Sequence, residues 1–535
     1  MKSQSASKGF AILSISGIMC KILSLLSVPL INLIIHENGY GMYFSATTIY
    51  TAIYVSTNSG IQTAISRQVS QFIALENNRA ALKTFKMARA LLLLSSTIIC
   101  VLVLVFIVPI SKITAAEDSI PALIAIMPSL VITSVLVSYR GYFQGRNLVT
   151  PIAVSQIFEQ IINVVFSVVL TYILYKYGVK AGAAGGSLGT TLSTLVATIY
   201  VIFIYRKHRF NRIEGPKVNV KTEALSNKYI LKNLLQFSLP LTFILSIQYW
   251  GDIIDMSIVK NILGSLDLDS DTLFALLGKY KTLIGVPLII IASLCSVVVP
   301  SLSRSIAIKD NKSIKSKMSF TFRVCFIISI PSAVGLFILS EPIYKVVFIG
   351  RTQGWDLLKL GAIVVVFMSV VQIQTIILQC LNKFKFVFIS SMISILTRII
   401  CNYILVSIPT INIKGAIIGN ILCYLIPMIL NLLYLNKVLH VKISLFKYSL
   451  KPIISSLFMS VTIYALLLLN KIFLNNFITE SLLSNLIFLV IAIILGISVY
   501  GYSLVLLRGI TKNDLNYLSP KIPKMLPSFI RKNLK

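Results

Sequence analysis

Fourteen runs of about twenty mostly apolar residues, parted by short loops rich in lysine and arginine, govern what this chain can become. A helix needs about 20 such residues to cross the hydrocarbon core of a bilayer. Inside lipid every backbone polar group must be satisfied within the structure, so runs of this length read as transmembrane helices. Their approximate limits are 9–35, 42–66, 90–110, 120–139, 152–175, 181–205, 234–258, 272–299, 322–340, 357–381, 386–408, 414–436, 452–470 and 485–507. The first run is too long for the core of a signal peptide and lacks a small-residue cleavage site. Of 535 residues 56% are hydrophobic and 12% charged, whereas a soluble domain carries about 25% charged residues. The fold class is therefore an all-α polytopic membrane protein.

The charge balance is lopsided, with 49 Lys and Arg against 17 Asp and Glu and a net charge of +32. A nucleic-acid partner would need a basic face in water, and here the cations punctuate apolar runs instead. With the N-terminus placed inside, 36 of the 49 fall in segments on that side and nine on the other. Four lie within the runs: Lys21, Lys279, Lys281 and Arg398. The positive-inside rule then puts both termini in the cytoplasm of a multi-pass cell-membrane protein. Seven cysteines without a C-x-x-C pair and three scattered histidines indicate neither a disulfide framework nor a metal site, and no cofactor is expected.

The longest cytoplasmic connection, 206–232, divides the first six helices from the next six, and faint similarity crosses it in order. Ile65-Ser66-Arg67 resembles Leu302-Ser303-Arg304 at an offset of 237, and Gln144 matches Gln379 at 235. Gly182-Ala183-x-x-Gly186 matches Gly415-Ala416-x-x-Gly419 at 233. Six helices per repeat insert both copies in the same orientation, which predicts lobes at 1–205 and 233–436 with the substrate between them. Helices 13 and 14 (437–507) and a basic cytoplasmic tail (508–535) fall outside the repeat.

A charge at mid-bilayer costs roughly 2.5–3.5 kcal/mol on insertion scales, so each such residue needs a partner, water or a ligand. Lys21 and Glu159 read as a pair across a cavity, either holding the lobe together or contacting a ligand. Asp252 and Asp255 share a helix face; they form a cation or proton site, or they neutralise Lys279 or Lys281. Arg398 snorkels to an interface or pairs locally. The second run carries Ser45, Thr47, Thr48, Thr51, Ser56, Thr57, Asn58, Ser59 and Gly60, which favours a wet face over close packing alone.

Arg140-Gly141-Tyr142-Phe143-Gln144-Gly145, then Pro151, Ala153, Ser155-Gln156 and Glu159-Gln160, resemble the helix 4–5 signature of the stage V sporulation protein B and Gram-positive lipid II flippase family. That family sits in the polysaccharide-exporter branch of the multidrug/oligosaccharidyl-lipid/polysaccharide exporter superfamily. Glu37-Asn38-Gly39-Tyr40-Gly41-Met42-Tyr43, Ala64-Ile65-Ser66-Arg67-Gln68-Val69-Ser70 and Pro300-Ser301-Leu302-Ser303 are similar to its other landmarks. The resemblance implies a transporter, not an enzyme. It would move a polyprenyl-diphosphate-linked saccharide, such as lipid II or a related cell-wall or polysaccharide precursor, outward by alternating access. It also implies cell-wall synthesis proteins as partners and a role in peptidoglycan assembly or sporulation.

Lys21 stands where the family carries its first cavity arginine, while Val28 and Asn163 stand at two further arginine positions and Gln62 at a proline position. By resemblance Lys21 would hold the diphosphate, with Glu159 as its resting partner and Asn163 as a polar supplement. Arg67 would attract the headgroup as it arrives. Na+ or H+ coupling, or the membrane potential, would supply direction. Two other classes remain open. A cation-coupled multidrug exporter of the same superfamily would favour an acidic first lobe. A membrane glycosyltransferase or polymerase would need a carboxylate-bearing loop, and Asp267-Leu268-Asp269-Ser270-Asp271 is the candidate.

Overall fold

The computed structural model describes residues 6–207, 226–308, 310–439, 443–477 and 481–509. Most of the 206–232 connection and of the 508–535 tail lies outside these residues. Every regular element among them is helical. The chain divides into two compact units, Met1–Gly278 and Lys279–Lys535. The first holds α1 (Ala6–Tyr54), a π-helical turn (Val55–Ser59), α2 (Gly60–Ala74), α3 (Asn78–Val105), α4 (Ile107–Ile113), α5 (Ile120–Gly145), α6 (Thr150–Tyr175), α7 (Val179–Lys207), α8 (Asn227–Ser265) and the start of α9 (Ser270–Ala307). The second holds the rest of α9 with α10 (Asn311–Ile338), α11 (Ser340–Val347), α12 (Trp355–Gly361), α13 (Val364–Cys380), α14 (Phe384–Val406), α15 (Ile413–Leu439), α16 (Leu445–Phe477) and α17 (Leu482–Leu506).

Twelve helical stretches are long and apolar enough to cross a membrane, or thirteen with α12 and α13, which meet at a 50° bend, counted as one span. Sequence reading expects fourteen, and the difference lies at the N-terminus. There the first two expected spans lie in one 60-residue stretch, Ile15–Ala74. At 1.5 Å per residue a straight helix of that length would run about 90 Å, three times the hydrocarbon thickness. It is not straight: His36 leaves the helical region at φ 60°, ψ −177° and breaks α1.

Helix ends follow local chemistry, and the same chemistry recurs in both units. The Asn77 side chain accepts from Ala80 N at 2.9 Å to start α3, and Asp310 accepts from Ser313 N at 3.0 Å to start α10. After α5 and α13 the chain turns through Asn147 (φ 54°) and Asn382 (φ 57°), asparagine being a residue that tolerates the left-handed region. Around those residues, Asn147 N donates to Gln144 O and Asn382 N to Gln379 O, both at 3.0 Å. Leu148 N donates to Phe143 O and Lys383 N to Leu378 O, both at 2.9 Å. The spacing between these turns is the 235-residue offset seen in the sequence.

Glycines in or beside the matched motifs bring helices together in both units. On α7, Gly185 lies against the Leu170 carbonyl and Gly189 against the Ser167 backbone, so α6 and α7 pack nearly backbone to backbone. On α15, Gly415 lies against Leu405 and Val406, and Gly419 faces the Asn402 side chain of α14. Small residues matter here because lipid supplies no hydrophobic force between helices, leaving van der Waals contact and hydrogen bonds to hold them. The outer faces of α16 and α17 are apolar, with Val461, Tyr464, Ile494 and Ile497 exposed as suits contact with lipid.

Gly189→Ala should therefore lower the apparent thermal unfolding midpoint of the solubilised protein, since overpacking against backbone costs about 1–3 kcal/mol. Gly285→Ala, on α9 with nothing within 4 Å of a new Cβ, should leave the midpoint unchanged or raise it. Equal melting of the two variants would refute the close-approach account of the α6–α7 seam.

Candidate substrate site in the first unit

The Arg140–Gly145 stretch forms the last turns of α5, and each residue has a distinct contact. Gly141 and Gly145 face α2, where an added Cβ would sit 2.9 Å from the Gln62 carbonyl oxygen and 2.7 Å from that of Ser66. Tyr142 and Phe143 are fully buried. Tyr142 packs 4.8 Å from Phe85 and edge-on to Tyr205 at 5.4 Å. Gln144 accepts from Gln62 Nε2 at 3.4 Å. Pro151 occupies the first turn of α6, where a missing N–H leaves no bond unmade.

Arg140 completes the joint. Its Nε donates to Ser155 Oγ at 3.0 Å and its Nη2 to Glu159 Oε2 at 2.7 Å, with the guanidinium side chain only 9% exposed. Glu159 is thus the partner of Arg140, and not of Lys21 as expected. The reason is the length of α5, which runs past Tyr139 to Gly145 and carries Arg140 inside the bundle. Lys21 sits exposed on α1, and among the described residues its ammonium makes no ion pair. Lys21 lies on α1, which packs beside α6, the helix that carries Glu159.

Other polar groups of this interior are engaged with one another. Ser16 Oγ donates to Gln156 Oε1 at 3.3 Å, tying α1 to α6. Asn163, expected as a supplement to the anion site, donates through Nδ2 to Thr190 at 3.1 Å and accepts at Oδ1 from Ser167 at 3.3 Å. Both ends of its amide serve the α6–α7 seam. The hydroxyls that suggested a wet second span largely bond their own helix: Thr48 to Phe44 O, Thr51 to Thr47 O and Ser56 to Ala52 O. Ser56 also accepts from Trp250 Nε1 at 2.9 Å, across the π-helical turn onto α8. Arg67, on α2, lies 4.3 Å above the Phe237 ring.

Sequence reading missed Lys260. Because α8 continues to Ser265, Lys260 is helical and fully buried, and its Nζ donates to Asp271 Oδ1 at 2.7 Å and to Ser45 Oγ at 3.4 Å. A basic and an acidic residue flanking a short turn were the available signal. Asp269 next to it accepts from Thr272 N and Oγ1 and from Asn38 Nδ2. Burial pushes the Asp269 carboxyl up, but these bonds outweigh it and hold the group below the ordinary carboxylate range. That stabilisation is present above the ordinary carboxylate pKa and is lost as pH falls through the lowered one. Two of the three carboxylates in the acidic loop, Asp269 and Asp271, are thus engaged by structural partners.

Of the remaining expected charges, Asp255 is buried and Asp252 half-buried on α8. In the second unit, Lys279 is fully buried with its ammonium 5.0 Å from the Phe348 ring centroid, and Lys281 is half-buried. Arg398 does not snorkel: it is 5% exposed on α14, one turn before the Asn402 that meets Gly419. Among the described residues no group of three or more His, Cys, Asp or Glu side chains could hold a metal ion.

Comparison with known proteins agrees with this architecture. Stage V sporulation protein B of Bacillus subtilis is 25% identical over 465 residues, 84% of this chain and 87% of that protein. Lipid II flippase MurJ of the same organism is 22% identical over 551 residues, 98% of each chain. The solved structure described as lipid II flippase MurJ in an inward closed conformation superposes with a TM-score of 0.67 at 16% identity, covering 92% of this chain and 98% of that one. Its fold is thus the fold of this multi-pass membrane protein. The sequence profile of one family, polysaccharide biosynthesis protein, matches residues 6–306, more than half of the chain. This protein belongs to the polysaccharide biosynthesis protein family.

Proposed function

We propose that this protein is a flippase that carries a polyprenyl-diphosphate-linked saccharide from the cytoplasmic to the outer leaflet by alternating access. Lipid II, the substrate in the name of one relative, is the leading candidate for the cargo. Family membership and the shared fold support a transporter, and no bond need be made or broken in the cargo. Within the site, one observation carries the reading. Arg140 is neutralised by Glu159 at 2.7 Å, whereas Lys21 in the same neighbourhood is exposed and makes no ion pair among the described residues. An ammonium held there offers charge-assisted hydrogen bonds to diphosphate oxygens.

We take the His36 break as the turn between two crossings, giving fourteen in all. An even number puts both termini on one side, and the basic loops place that side in the cytoplasm. An inside-negative potential drives a dianionic headgroup outward at about 2.3 kcal/mol per charge per 100 mV, with Na+ or H+ coupling as the other source of direction. Asp252, Asp255, Lys279, Lys281 and Arg398 are the intramembrane charges through which such coupling would run.

Flipping and lipid-diphosphate binding, measured in reconstituted vesicles, test the site. A hydrogen bond to a charged group is worth about 1.5–3 kcal/mol, so Lys21→Ala should weaken binding about tenfold or more and stop flipping, while Lys21→Arg should keep much of both. Because Glu159 is held by Arg140, Lys21→Ala should leave the thermal midpoint unchanged. Arg140→Ala should lower it, by orphaning Glu159, and adding Glu159→Gln should restore it. Flipping at the native rate by Lys21→Ala would sink the assignment of the anion site.

Labelling from outside in a cysteine-free background tests the orientation. A cysteine at Tyr177, 80% exposed between α6 and α7, should react with an impermeant reagent. One at Glu76, exposed between α2 and α3, should react only after the membrane is opened. Ser119, in an outward loop by charge, is 1% exposed and unsuited as a probe. The reverse labelling pattern would invert the topology.

A further inference from the structure

We infer that a groove between the last turns of α2 and the first turns of α8 is a second substrate site, one that binds the saccharide and favours a hydroxyl-rich sugar bearing a carboxylate. This inference rests on the flippase reading and deepens it. The groove has a volume of about 730 Å³, and its wall includes Arg67, Gln68 and Gln71 from α2 and Asn233, Gln236 and Phe237 from α8, with no carboxylate in it among the described residues. A volume in this range suits a ligand of one to a few rings. On the proposed topology it opens on the cytoplasmic side, where the lipid-linked glycan is completed.

The chemistry of the wall separates a sugar from a phosphate. Four of the eleven residues that line it are amides, each offering both a donor and an acceptor, as a hydroxyl does. Gln68 is 6% exposed, and its Nε2 donates to the Ile230 carbonyl at 3.3 Å while its buried Oε1 has no donor among the described residues. That Oε1 is out of reach of solvent as the side chain stands, so a sugar hydroxyl meets it once Gln68 turns toward the groove, which relieves a desolvation cost of about 1–3 kcal/mol. The ionised oxygens of a phosphodiester headgroup only accept and would meet that Oε1 with repulsion, and inorganic phosphate brings fewer hydroxyl donors than a sugar does. Arg67, held 4.3 Å above Phe237, adds a cation whose planar donors match a carboxylate. The i, i+3 spacing of Gln68 with Gln71 and of Asn233 with Gln236 brings each pair to one helix face.

Saturation-transfer NMR on the full chain in a sugar-free detergent, with glucuronic acid, glucose and inorganic phosphate as probes, tests the site. Glucuronate should saturate most strongly and glucose less, and phosphate at equal concentration should not displace glucuronate. Arg67→Gln and Gln68→Leu should each cut the glucuronate signal about tenfold, in the range seen when a site built for hydrogen bonding loses a partner. Gln68→Glu keeps the side-chain shape, serves if the leucine variant misfolds, and should repel the acid while sparing glucose. Absent glucuronate saturation, a signal unchanged in folded variants, or displacement by phosphate or by phosphatidylglycerol would overturn the proposal; the last two would assign the groove to a phosphate or lipid headgroup. The two readings fail separately. Sugar binding that survives while no lipid-linked saccharide is flipped removes the flippase reading, whereas flipping that depends on Lys21 without sugar binding removes the groove.

Discussion

Close approach of helix backbones at glycine is the constraint on which the rest of this molecule depends. In lipid, side chains gain nothing by leaving water, so helices adhere where their backbones can touch. Gly141 and Gly145 bring α5 onto α2, and Gly185 and Gly189 bring α7 onto α6. These contacts fix the rotation of each helix about its axis, and that rotation decides which polar groups meet. Arg140 precedes Gly141, and a rotation of α5 by one residue would carry its guanidinium away from Glu159. Asn163 reaches Thr190 only because α6 and α7 are nearly in backbone contact.

Charges inside the units are matched within a few ångströms. Arg140 meets Glu159, Lys260 meets Asp271, and Lys279 faces the Phe348 ring. Such pairs add little net stability, because desolvating both partners offsets their attraction, but breaking one leaves a charge that the interior cannot solvate. They act as register marks. A neutral pair is also a poor anion receptor, since a diphosphate would have to compete with the resident carboxylate. This is why the pairing of Glu159 matters for function: it removes Arg140 from the list of available cations and leaves Lys21 on it.

Fold class was legible from hydropathy alone, because twenty apolar residues have one physical outcome in lipid. The helix 4–5 motif was legible as a motif, and most of its residues have a packing or ionic role. Which cation meets Glu159 was not legible. Hydropathy locates helix ends to within a few residues, and a shift of six residues at the end of α5 separates a loop arginine from a buried one. The same error hid Lys260, two residues beyond the expected end of its span. The break at His36 falls in the gap between the first two apolar runs, 9–35 and 42–66, so its place was legible although its backbone geometry was not. The amide groove joins residues some 160 positions apart, yet the Gln-x-x-Gln and Asn-x-x-Gln spacings that build it were visible as polar faces on apolar helices.

On the proposed reading, charge and hydroxyl recognition are divided between sites that answer to different forces. The diphosphate is common to every polyprenyl-linked cargo, so Lys21 recognises the class and not the member. One ammonium contributes about 1.5–3 kcal/mol, enough to bind the headgroup yet weak enough to release it, which a carrier needs more than affinity. The glycan distinguishes one cargo from another, and amide hydrogen bonds, with Arg67 beside them, read it apart from the Lys21 site. Those neutral bonds do not move with the membrane potential, whereas transit of the diphosphate does, at about 2.3 kcal/mol per charge per 100 mV. Selection of the sugar through the amides is then largely independent of voltage, while the direction of movement is set by it. A protein that placed several arginines where Lys21, Val28 and Asn163 stand would bind the headgroup more tightly and rely less on the sugar. With one cation there, this chain gains more from discrimination by the saccharide.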